Sequence, residues 1–70
     1  SMKTPASYKT ITVSLGQVNT GRASDYATRL LGLRGVADVV VVAEEGLAYL
    51  QIDRATFEEK DLKDLCSQLN

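Results

Sequence analysis

Histidine and tryptophan are absent from this chain, and cysteine, methionine and proline occur once each. These absences remove whole classes of chemistry. Without histidine, the nucleophilic triads that depend on an imidazole base cannot be assembled. With Cys66 as the sole thiol, neither an internal disulfide framework nor an internal Cys/His zinc site can form. No apolar run reaches the roughly 18 residues of a membrane span, and the first residues do not read as a signal peptide. An excess of one charge is missing too. Eight Lys plus Arg stand against nine Asp plus Glu, for a net charge of -1. A dedicated nucleic-acid binder usually carries a basic patch and a high pI. The expectation is therefore a protein without nucleic-acid partners and without membrane insertion in this segment.

What is present suits one small domain. The chain has 70 residues, 44% of them hydrophobic, with seven Val, nine Leu and two Ile among them. A domain of this size buries only about 60% of its unfolded surface, so its stability margin is narrow or shared with a partner. Ser1-Met2 reads as a protease scar followed by a start or vector methionine, and residues 1–7 as a flexible lead-in. Residues 8–70 form the domain.

Periodicity sets out the elements. Ile11, Val13 and Leu15 alternate with Thr10, Thr12 and Ser14, the period of a half-buried strand. Gly16 to Gly21 has loop composition. Ala23, Tyr26, Ala27, Leu30 and Leu33 recur at helical spacing, and Gly32 and Gly35 end that helix. Val36 to Val42 is a β-branched second strand. Glu44-Glu45-Gly46 is a turn, and Leu47 to Ile52 a third strand, so the pair forms a hairpin. Thr56 with Glu59 has the spacing of a capping box, opening a helix with Leu62, Leu65, Cys66 and Leu69 on one face. The order is strand, helix, strand, strand, helix. A split βαβ layout needs one more strand, expected to be missing or supplied from elsewhere.

With Gly16 opening the loop, Ala23 starting the helix, Tyr26 and Leu30 in its core stripe, a Gly35-Val36 pair, Val39 and Val41 inward on the second strand, and Ala48, Leu50, Ile52 and Asp53 on the third, the chain resembles a heavy-metal-associated (HMA) domain. That is the small ferredoxin-like module of copper chaperones, metal-transporting ATPases and mercury-binding proteins. The resemblance covers nearly all of the domain and implies an α+β, ferredoxin-like βαββα(β) sandwich, its antiparallel sheet carrying two helices on one face. It also implies a cytoplasmic, non-enzymatic protein.

The family's loop reads Gly-Met-x-Cys-x-x-Cys-Ala. Here Gln17 takes the methionine position, and Asn19 and Arg22 take the two cysteine positions. Soft metals are bound by thiolate charge and sulfur polarisability, which an amide and a fixed cation do not provide. The metal role is therefore expected to be lost, with no cofactor and no metal ligand. Cys66 is assigned to core packing.

The altered loop echoes a P-loop, but Arg22 replaces its Lys and Ala23 its hydroxyl, and the chain is too short for the nucleotide-binding sheet. Gln17, Asn19, Thr20, Gly21 and Arg22 remain as a candidate anion or partner contact at a helix N-terminus, against the plainer reading that Thr20 or Asn19 caps the helix and Arg22 points to water. The remaining carboxylates are scattered and form no acid–base dyad.

A second candidate is an apolar patch. If Val39 and Val41 face the helices, Val40 and Val42 face away, as do Leu47 and Tyr49 opposite Ala48, Leu50 and Ile52. The second strand is expected at a sheet edge, and the first strand, lacking a fourth beside it, at the other, where another chain can add a strand. The favoured function is a non-catalytic, HMA-like accessory module acting through a protein partner or as a homo-oligomer. The alternatives are a metal-binding or metal-transport domain with a different ligand set, and an anion or small-ligand sensor at the 17–22 loop.

Overall fold

The computed structural model describes residues 7–69. The scar and most of the lead-in read for residues 1–7 lie outside that range. Five main elements follow in chain order: β1 (Tyr8–Ser14), α1 (Ala23–Leu31), β2 (Val36–Val42), β3 (Leu47–Asp53) and α2 (Glu59–Leu69). The fold is α+β, a three-stranded antiparallel sheet with two helices. The sheet order is β1-β3-β2, so β3 is central and flanked on both sides.

Alternation along β3 explains the layering. Ala48, Leu50 and Ile52 are buried, while Leu47, Tyr49 and Gln51 between them are not. The buried set joins Tyr26 and Leu30 of α1 and Leu62 and Leu69 of α2 in one cluster, closed by Leu15. Both helices therefore cover the same face of the sheet, and among the described residues the other face carries none. Leu30 and Leu50 are completely enclosed.

β1 begins two residues earlier than the alternation of Thr10 to Leu15 predicts. Tyr8 and Lys9 are drawn into the ladder because Asp53 and Ile52 lie opposite them. β2 carries an irregularity that alternation does not foresee. Val36 faces Ile52 and Asp38 faces Gln51, leaving Ala37 as an extra residue. This bulge lets Val36 share the core side with Val39 and Val41 despite the parity of its number.

Two glycines hold the turns. Gly46 adopts a left-handed φ of 65° after the short helical turn Ala43–Glu45, and a side chain there would run into the Gly16 carbonyl oxygen. Gly35 has φ 83°, with the Phe57 backbone 2.5 Å from where a Cβ would stand.

The capping box expected at Thr56 is displaced. α2 begins at Glu59, and Thr56 sits in the preceding turn. The Asp53 carbonyl there accepts from the Thr56 and Phe57 N–H groups at 3.1 and 2.9 Å, and the Asp53 carboxylate accepts from Ala55 N–H at 3.0 Å. A buried Asp at the strand end organises the turn, so Thr56 is not the residue that starts the helix. Along α2, Lys60 donates to Asp64 at 3.0 Å, a contact that raises the lysine pKa.

Candidate functional site: a loop and an open sheet face

The loop leaves β1 through Leu15, whose N–H donates to the Gly46 carbonyl at 2.7 Å. Val18 turns in against the core, while Gln17, Asn19, Thr20, Gly21 and Arg22 are exposed. Asn19 has extended backbone angles, and its side chain accepts from Gly21 N–H at 2.8 Å. It caps the single 3-10 turn Thr20–Arg22 that runs into α1. Thr20 is the first residue of that turn, not its cap.

Arg22 is exposed to solvent, as the plainer reading expects, and it also makes two local contacts. Its guanidinium lies 4.9 Å from the centre of the Tyr26 ring and 3.7 Å from the Asp25 carboxylate. An exposed pair of this kind adds little to stability, but it neutralises the cation at a helix end that disfavours positive charge. The acid the dipole prefers is supplied by Asp25 in the first turn of α1.

Beside the loop is an open depression of about 390 Å³, bounded by Gly16, Gln17 and Val18 on one side and by Ala43 to Gly46 on the other. Its charged groups are Glu44 and Glu45, which favour no anion there. Among the described residues, no three His, Cys, Asp or Glu side chains come together in a way that could hold a metal ion.

Cys66 lies elsewhere, half-buried on α2 against the core. It shares a narrow crevice with Ser14, Leu15, Tyr26 and Leu69. Burial raises its thiol pKa, because the thiolate loses hydration there.

The open face of the sheet brings the four patch residues together. Val40 lies opposite Tyr49, and Val42 opposite Leu47, on alternate rungs of the β2–β3 ladder that share this face. Val40 is 52% exposed and Tyr49 37%, while Val42 and Leu47 are half-buried. A shallow groove of about 290 Å³ runs beside them, lined by Thr10, Asp38, Val40, Tyr49 and Gln51. Its polar rim of Thr10, Asp38 and Gln51 forms one continuous rung across all three strands.

Two further surface features, one on the sheet and one on α1, follow from no motif. The Asp38 carboxylate accepts from the neighbouring Val39 N–H at 3.0 Å, a one-residue contact with no sequence signature. Leu31, 50% exposed, follows Leu30 directly and so falls off the buried stripe of α1. The Arg22–Tyr26 contact, by contrast, has the i, i+4 spacing that places two side chains together on a helix.

In comparisons with known proteins, no family model, curated protein or solved structure matches this chain.

Proposed function

We propose that this chain is a non-catalytic module on a heavy-metal-associated, ferredoxin-like plan that has lost its thiolate ligands and works by protein contact through the open face of its sheet. The plan is supported by the order strand, helix, strand, strand, helix and by the strand order β1-β3-β2. The loss of the metal role is supported by Asn19 and Arg22 at the positions of the family's cysteines. Both are engaged locally, Asn19 in capping and Arg22 with Asp25 and Tyr26. In this reading the module serves as a cytoplasmic accessory domain or a small homo-oligomer.

The observation that carries the reading is the exposure of Val40 and Tyr49 side by side on a helix-free sheet face. A contiguous apolar patch with a polar rim is the usual mark of an interaction site. The test is the double change Val40→Thr with Val42→Thr. Threonine keeps the β-branched shape that strands favour, so the unfolding free energy should change by no more than about 1 kcal/mol. Sedimentation velocity and partner capture should both show weaker association. Unchanged behaviour in both would reject the open face as a contact surface. Titration with Cu(I) and Zn(II) addresses the metal alternative: one-to-one binding tighter than micromolar is incompatible with a site lacking thiolate and imidazole.

A further inference from the structure

The two edges of this sheet are not equivalent. At the β2 edge the ladder is interrupted by the bulge at Ala37. The next outward N–H, that of Val39, is taken by the Asp38 carboxylate. A bulge and a charged residue at the rim are the devices by which edges are closed to further pairing.

β1 has no bulge, and its one charge, Lys9, lies near one end of the strand. Its register with β3 runs from Tyr8 to Ser14 without a shift, and no described strand lies on its other side. The backbone direction follows from the ends of the ladder. Leu15 N–H donates to the Gly46 carbonyl, and the Ser7 carbonyl accepts from Arg54 N–H. Odd-numbered positions therefore face β3, and Tyr8, Thr10, Thr12 and Ser14 turn their N–H and C=O groups away from the sheet. On the helix side of the same strand, Ile11 and Val13 are only half-buried. Whatever covers this edge must supply backbone donors and acceptors at strand spacing and apolar side chains toward the helices.

We propose that the occupant is β1 of a second copy, added antiparallel so that one sheet runs β2-β3-β1-β1-β3-β2 across a two-fold axis. A strand centred on Ile11 is self-complementary. Thr10 of one copy faces Thr12 of the other, Ile11 faces its equivalent on the helix side, and Lys9, the only charge in the strand, faces Val13 instead of another lysine. No like charges oppose each other on neighbouring strands, and a net charge of -1 leaves little long-range repulsion between copies. The proposal goes beyond the open-face reading: it gives the β1 edge to a second copy and leaves the open face for another contact.

The experiment is amide hydrogen exchange by NMR on the unaltered chain at low and high concentration, with sedimentation alongside. The Thr10 and Thr12 amides should slow by about ten-fold or more as the protein is concentrated, in step with dimer formation. The variant Thr12→Pro removes an outward donor without touching the β1–β3 ladder and should sediment as a monomer with its circular dichroism intact. If that variant fails to fold, exchange in the unaltered chain still decides. Fast, concentration-independent exchange at Thr10 and Thr12 overturns the proposal. So does a dimer that protects Val39 and Val41 instead. Association abolished by Val40→Thr with Val42→Thr but without protection at Thr10 and Thr12 overturns the edge and leaves the open-face reading standing.

Discussion

At the scale of single residues, environment decides which reactive groups remain available. Cys66 carries the only thiol, yet it lies half-buried on α2, and loss of hydration raises its pKa. Its native pKa therefore lies above that of the unfolded chain. The folded state resists forming the thiolate, so this group leaves stability untouched below the ordinary thiol pKa of about 8.5. Stability is then lost as pH rises through the native value. Comparing the chain with Cys66→Ala in urea titrations should show a difference in unfolding free energy that is flat at neutral pH. Above about pH 8.5, the unaltered protein should lose stability relative to the variant. A difference with the opposite slope would mean a thiolate held by a partner charge. The same residue scale separates what could be read in advance at the loop. Asn19 as a cap follows from residue type, since its short side chain reaches a nearby backbone N–H. The position of Arg22 over Tyr26 required knowing that the helical path already begins at Thr20.

At the scale of elements, the sequence is most informative where one rule acts alone. Alternation placed β1 and β3 and separated Ala48, Leu50 and Ile52 from Leu47 and Tyr49, because one buried face imposes a period of two. Helical spacing likewise placed Tyr26, Leu30, Leu62 and Leu69 in the core. The open-face residues Val40, Val42, Leu47 and Tyr49 came together for the same reason. Where two rules compete, the reading slips. Thr56 and Glu59 satisfy a capping pattern, but the buried Asp53 claims the turn first and moves the helix start. The bulge at Ala37 is invisible because Val36 and Val39 to Val42 are apolar on either parity. The hairpin turn also depends on more than its composition. Gly46 combines a left-handed backbone with contact against the Gly16 carbonyl, so Gly46→Ala meets strain and collision together. It should cost about 1–3 kcal/mol, measurable as a lower urea midpoint, and it should disturb the NMR signals of Gly16 and Gln17 as well as the turn. An effect confined to Glu44 to Leu47 would show that the loop and the hairpin are not tied together.

At the scale of the whole molecule, eight hydrophobic side chains among the described residues form the buried core, shared between one sheet face and two helices. So small a core leaves much apolar surface at the margins, and the margins differ: an apolar open face, a regular β1 edge and an interrupted β2 edge. Asp38 can be tested at this scale, since it is exposed and its carboxylate serves a single amide. Asp38→Ala should leave the melting behaviour nearly unchanged, within about 0.5 kcal/mol, while light scattering reports particles larger than those of the parent protein. Identical scattering would mean that the bulge alone keeps the β2 edge closed.

The carboxylate of Asp38 thereby bears on how assembly stops. A building block with a single receptive side closes on itself after one encounter and stays finite. Give the same block a receptive side at each end and every addition exposes a fresh site, so that growth has no natural terminus and becomes a filament. On the proposed pairing, the bulge at Ala37 and one short acidic side chain, folded back on the next peptide group, together stand between those two outcomes.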